Sequence, residues 1–153
     1  MPSSPHITVA AIIERDERYL MVKERVDGHI VYNQPAGHWE VDETLVEAAI
    51  RETQEETGWH FIPESVIAIY RWKHPQKDEV YLRIAFLGRV DQHQPDQALD
   101  DGIIEAMWMT RKEIEALNET QRRSALVLQS IEDYENGKRY DLNIMADIIE
   151  VWD

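Results

Sequence analysis

The chain opens with a strand pattern. His6 to Ile13 (HITVAAII) is a nearly unbroken run of β-branched and aliphatic residues, as expected of a strand buried on both faces. Four polar residues, Glu14 to Glu17, interrupt it. Arg18 to Val26 then resumes with Tyr19, Leu20, Met21 and Val22, which predicts a hairpin. Asp27-Gly28-His29 predicts a second turn, and Ile30 to Tyr32 a short extended piece. That piece runs into a loop, Asn33 to Gly37, where Pro35 biases Gln34 away from helix and Gly37 relaxes the backbone.

The apolar period then changes from two residues to three and four. Thr44-Leu45-Val46-Glu47 has the form of a capping box, with Thr44 as N-cap and Glu47 at the third helical position. Leu45, Ala48, Ala49, Glu52, Thr53 and Glu56 fall on overlapping faces, and Gly58 suits the position just past the end. A helix is predicted over Leu45 to Thr57.

Ser65 to Lys73 and Glu79 to Asp91 return to strand, joined by a hairpin loop over His74 to Asp78. An acidic loop follows, Gln92 to Gly102, and then a short strand, Ile103 to Met109. Thr110 to Glu113 is a second capping box, opening a helix through Leu117. A third helix is predicted from Arg122 to Asn136, with Val127, Leu128, Ile131 and Tyr134 along one side and Gly137 as its stop. The segment Tyr140 to Asp153 is mixed. There is no repeat and no low-complexity linker, so a single domain over 1–153 is expected. The element order predicts an α/β protein with a mixed β-sheet sandwiched between helices.

Composition narrows the partners. With 153 residues and 43% hydrophobic content, the chain can build an independent core. Thirty acids against sixteen bases give a net charge of −14, which disfavours nucleic-acid polymers and anionic membranes. No apolar run is long enough for a membrane helix. Met1 to Pro5 lacks the charged start and apolar core of a signal peptide, and there is no cysteine, so a cytoplasmic protein without disulfides or thiolate metal sites is expected.

The acids are not evenly spread. Glu40, Asp42, Glu43, Glu47, Glu52, Glu55 and Glu56 face only Arg51, a net charge of −6 over Glu40 to Glu56. Glu52 lies three residues from Glu55 and four from Glu56, so the carboxylates sit side by side and repel by about 0.2–0.5 kcal/mol per pair in an isolated helix. Glu55 and Glu56 also occupy the last turn, where the helix dipole disfavours anions by about 0.3–1 kcal/mol each. A hard cation would offset these terms.

Gly37, Glu43, Arg51, Glu52, Glu55, Glu56 and Gly58 form the pattern G-x5-E-x7-R-E-x-x-E-E-x-G. This pattern resembles the signature box of the Nudix hydrolases, with two departures at packing positions, Thr53 and Trp59. The resemblance implies the Nudix fold with its loop-helix-loop box. It also implies hydrolysis of a diphosphate joined to another moiety, with Mg²⁺ or Mn²⁺ as cofactor. Glu52 and Glu56 become the first-choice metal ligands, and Glu55 a ligand or a base. The Gly37 carbonyl is a further ligand, Arg51 positions the carboxylates, and Glu43 braces the loop.

The general base is open among Glu55, Asp100, Asp101 and Glu105. His38, beside Gly37, is a candidate for phosphate contact. Arg25, Arg71, Lys73 and Arg83 lie on predicted strands as candidate phosphate contacts. Tyr32, Trp39 and Trp72 are candidates for stacking on a base. Pro75, sixteen residues after Trp59, is a marker seen in family members acting on ADP-ribose. The stretch from Tyr32 to Ala49, with Tyr134 and Gly137 to Tyr140, more closely resembles the bacterial NudJ-like phosphatase subgroup. That subgroup removes terminal phosphate from nucleoside di- and triphosphates and from a pyrimidine diphosphate. Alternatives are a nucleoside triphosphate pyrophosphohydrolase, an ADP-ribose pyrophosphatase, or a nucleotide-binding regulatory module without activity. The expected partner is a small phosphorylated substrate, and a homodimer is allowed.

Overall fold

The computed structural model describes residues 4–152. Met1 to Ser3, which carry part of the expectation about the N-terminus, lie outside them. The β-branched run forms β1 (His6–Ile12), followed by β2 (Glu14–Arg15), β3 (Arg18–Val26), β4 (His29–Asn33) and β5 (Ala36–His38). Then come α1 (Leu45–Thr57), β6 (His60–Lys73), β7 (Val80–Asp91), β8 (Ile103–Thr110), α2 (Arg111–Ala116) and α3 (Leu126–Glu135). Single 3₁₀ turns follow α2 at Glu119–Gln121 and α3 at Leu142–Ile144.

The strands make two sheets. The first is mixed, in the order β5-β1-β7-β6, with β1 and β7 parallel and the other pairs antiparallel. Period-two alternation divides its residues between two cores. Val9, Ala11, Ile84, Phe86 and Phe61 pack with Ala48 and Ala49 of α1. Ile12, Ala85 and Ile67 face the other way, against Ile114 of α2 and Val127 and Ile131 of α3. The mixed sheet is thus sandwiched between helices, as its pattern predicts. The second sheet, β2-β3-β4 with β8 on β3, is antiparallel and was not separated by sequence reading.

α1 carries both of its predicted ends. The Thr44 hydroxyl accepts from Glu47 N at 3.1 Å, and the Glu47 carboxylate accepts from Thr44 N at 2.9 Å. Gly58 ends it with φ +75°, where a Cβ would also lie 2.7 Å from the Gln94 carbonyl oxygen.

Glu14–Arg15, expected as part of a polar turn, pairs with β3 as β2, and three further differences exceed two residues. β6 starts at His60 rather than Ser65, because a bulge between Pro63 and Ser65 lets an edge strand absorb a proline that has no N–H to give. Ala36 to His38 is strand rather than loop, since Ala36 to His38 pair with Thr8 to Ala10. α3 starts at Leu126 rather than Arg122. Arg122 Nη1 instead donates to the carbonyls of Ile114, Glu115 and Leu117 at the end of α2, and Arg123 N donates to Tyr32 O, which keeps this segment extended. Among the described residues, no helix is long and apolar enough to cross a membrane.

Candidate active site

The helix α1 projects Glu52, Glu55 and Glu56 toward β5 and the loop before β8. Gly37 sits against Glu52 so closely that a Cβ there would lie 2.1 Å from the Glu52 carboxyl carbon. The requirement for glycine is therefore one of close approach, not of backbone conformation. Glu56 is buried and accepts from Ala36 N at 2.9 Å, which ties β5 to the last turn of the helix.

Arg51 organises the array. Its Nε and Nη2 form a two-pronged contact to Glu43 at 3.0 and 2.8 Å. Nη1 donates to Glu52 at 2.9 Å and Glu55 at 3.2 Å, and Nη2 also reaches the His38 carbonyl at 3.0 Å. One guanidinium thus fixes two of the helix acids, the brace Glu43 and the end of β5. Glu43, in turn, has its pKa held below the usual carboxylate range by these contacts.

Asp100 joins this group from the acidic loop. Its backbone N–H donates to Glu55 O at 3.0 Å, landing the loop on the C-terminal end of α1. One carboxylate oxygen each from Glu52, Glu55 and Asp100 lie within 4.8 Å of one another. Burial pushes Glu52 up to about 7 even against the hydrogen bond and charge of Arg51. Burial also raises Glu55, and raises Glu56 well above its ordinary value. Three neighbouring acids that resist ionisation mark a site short of positive charge. Asp101 and Glu105, the other two candidates for a base, are exposed and stand outside this group.

A cavity of about 360 Å³ borders Gly37 on the α3 face of the mixed sheet. Thr8, Trp72, Tyr81 and Arg83 line it from three neighbouring strands, with Asn33, His38, Lys77, Glu24 and Arg123 at its walls. Arg83 is buried. It donates to Gln34 at 3.1 Å and to Asn33 at 3.3 Å, and among the described residues no acid lies within ion-pair distance of it. Burial lowers its pKa to about 10. Arg123 meets Glu24 across the cavity mouth at 3.6 Å.

The sequence candidates for substrate contact divide accordingly. His38, Trp72 and Arg83 line the cavity. Arg71 and Lys73 alternate with Trp72 along β6 and so point to the opposite face. Arg25 is exposed and does not line the cavity. Tyr32 packs with the α3-side core. Trp39 packs with the α1-side core and donates from its indole N–H to Glu43 O at 2.6 Å. Sequence reading missed Arg123, Asn33 and Tyr81. One signal was available for this face: Arg83 interrupts the apolar run of β7 from Val80 to Leu87.

Residues 4–129 match the NUDIX domain family, and the chain belongs to that family. It is a Nudix hydrolase, an enzyme of the phosphohydrolase class. Over 143 residues it is 41% identical to phosphatase NudJ of Escherichia coli K12, covering 94% of this chain and 92% of that protein. A Nudix hydrolase structure from Nitrosomonas europaea matches with TM-score 0.92 and 45% identity, over 95% of this chain and 98% of that one. An ADP-ribose pyrophosphatase from Streptococcus suis matches with TM-score 0.66 and 16% identity, over 90% and 97% of the two chains. At that identity the likeness concerns the fold alone.

Proposed function

We propose that this chain is a metal-dependent phosphatase that releases the terminal phosphate of a small nucleoside di- or triphosphate or of a pyrimidine diphosphate. The carrying observation is that the acid group of Glu52, Glu55 and Asp100 meets a cavity lined by bases and aromatic rings at Gly37. The 41% identity to phosphatase NudJ supports the choice of terminal phosphate over internal cleavage. Its cysteine-free composition fits a cytoplasmic setting.

The donor set fits a hard divalent ion, since Mg²⁺ and Mn²⁺ take oxygen ligands. Glu52, Glu55 and Asp100 would hold it, joined by the second oxygen of Glu56 and the Gly37 carbonyl. When bound, such an ion neutralises the diphosphate and lowers the pKa of an attacking water.

The chain's own groups do the rest. Arg51 holds Glu52 and Glu55 apart at fixed positions, so the array does not collapse or drift. Glu55 has a more exposed side chain than Glu52, 39% against 11%, and is assigned the proton of the attacking water. Arg83 supplies an unpaired buried positive charge to the substrate's remaining anionic or acceptor groups. Trp72, paired with Tyr81 across β6 and β7, offers a ring face to a planar moiety, and Tyr81 is itself stacked on His6 at 4.4 Å.

The test is a panel of nucleoside di- and triphosphates, a pyrimidine diphosphate and ADP-ribose, read for phosphate, pyrophosphate and nucleoside monophosphate, with Mg²⁺ and with EDTA. Phosphate released from both di- and triphosphates, and abolished by EDTA, is expected. Pyrophosphate from triphosphates alone, or cleavage of ADP-ribose alone, would replace this reading.

A further inference from the structure

We propose that two copies of this chain pair by exchanging residues 146–152, each segment adding to the outer edge of β6 in the other copy. β6 is the last strand of its sheet, and among the described residues only Val66 is paired across its open side. That pairing is itself a strand addition. Val66 and Tyr140 exchange two backbone hydrogen bonds of 2.8 Å, in antiparallel sense. Beyond it, the edge from Ile69 to Lys73 stays open.

The face beside that edge has a defined character. Ile69, Arg71 and Lys73 alternate with Tyr70 and Trp72 and point away from the α3-side core. Ile69 is 59% exposed, and Leu82, opposite Arg71 on β7 and diagonal to Ile69, is 37% exposed. The result is an apolar patch flanked by two bases. Two like-charged β6 edges would repel each other, so direct edge-to-edge pairing is disfavoured.

Residues 146–152 have the complementary pattern. They lack regular secondary structure, and Ile148, Ile149, Val151 and Trp152 are each more than 80% exposed. Four large apolar side chains in seven residues, with Glu150 among them, are an exposed apolar segment of the kind that marks an interaction site. In an extended conformation Ile148, Glu150 and Trp152 share one face, an acid between two apolar groups. That face matches the bases and apolar patch of β6 in both charge and hydrophobicity. Within its own copy the preceding residue, Met145, packs on the core, and the segment leaves the surface from there. A second copy is therefore the occupant it fits. A two-fold exchange makes the contact twice, which brings two short strands toward the roughly 1,000 Å² that a specific interface needs.

Sedimentation velocity of the full chain over about 1–100 µM tests this, because a dimer's population follows protein concentration. The expected result is a concentration-dependent dimer, weakened about tenfold or more by Ile148→Asp and by Ile69→Asp. Both positions are exposed in the single copy, so at protein concentrations low enough for the parent to be monomeric the melting temperature and the rate of phosphate release per chain should stay unchanged. Hydrogen exchange should show protection of 146–152 that is lost on dilution. A monomer throughout the range, a dimer indifferent to both substitutions, or concentration-independent protection of 146–152 (the segment folding onto its own copy) would overturn the proposal.

Discussion

Glu56 shows how burial and function meet in one side chain. It is 8% exposed, spends one oxygen on Ala36 N, and its pKa is raised by burial well above the ordinary range. An ionised carboxylate in that position is costly without a cation, and a neutral amide is much less so. Glu56→Gln keeps an oxygen for Ala36 N and removes the charge. The expected outcome is a melting temperature in EDTA equal to or above that of the parent, with activity lowered about 10- to 100-fold or more. Thermal unfolding in EDTA and steady-state phosphate release check the two halves separately. A variant with full Mg²⁺-dependent turnover would remove Glu56 from the site, and a large fall in melting temperature would make its role structural. Arg51 is the reverse case. Its charge is satisfied several times over, so it acts by geometry, and lysine could not reproduce its two-pronged contact to Glu43.

At the scale of elements, α1 was legible because everything that defines it is local. Thr44, Glu47 and Gly58 mark its ends within the segment itself, and the two reciprocal capping hydrogen bonds form as their spacing requires. Removing the N-cap by Thr44→Ala should cost about 1 kcal/mol. For a chain of this size that corresponds to a fall of about 2–4 °C in melting temperature. Turnover at 25 °C should hold within about twofold, because Arg51, not the first turn, fixes the carboxylates. Differential scanning calorimetry beside a rate assay reads both; a proportional loss of rate would show that helix entry and site geometry are coupled. α3 was less legible for the opposite reason. Its start depends on Arg122, which caps the carbonyls of another helix, and on the Arg123 to Tyr32 hydrogen bond across 91 positions of sequence. The same contrast divides the site. The acid array and its brace come from a single stretch, Gly37 to Gly58, while the cavity is assembled from β1, β3, β4, β5, β6, β7 and the segment before α3. Spacing finds the first kind of site, and only packing finds the second. Asp100 stands between them, an acid in an acidic loop until its N–H is found on the Glu55 carbonyl.

Over the whole molecule two sets of helix carboxylates shift in opposite directions: Asp133 and Glu135 of α3 are depressed, and Glu52, Glu55 and Glu56 of α1 are raised, while Glu43, held by Arg51, is depressed beside the latter. On the α3 side, burial raises Asp133 and Glu135, but hydrogen bonds reverse this and leave both below their ordinary values: Tyr70 and Gln129 to Asp133, Tyr19 and Arg111 to Glu135. A depressed carboxylate contributes stability that is present above its unfolded pKa and lost as pH falls through the folded one. On the α1 side, burial raises Glu52 from 4.5 to about 7 and raises Glu56 well above its ordinary value. A raised carboxylate contributes stability that is full below its unfolded pKa and lost as pH rises through the folded one. The metal-free protein should therefore be most stable in mild acid and should lose stability as pH climbs from about 5 through about 7. A cation binding the ionised carboxylates stabilises the native state by mass action, and does so most where those groups are charged. The melting temperature in EDTA is thus expected to fall between pH 6 and pH 8, and saturating Mg²⁺ to raise it more at pH 8 than at pH 6. Inorganic salt at matched ionic strength separates this from screening of the −14 net charge, which would act at both pH values and without preference for the divalent ion. An equal Mg²⁺ effect at the two pH values would mean that the raised acids of α1 are not the groups that the cation meets.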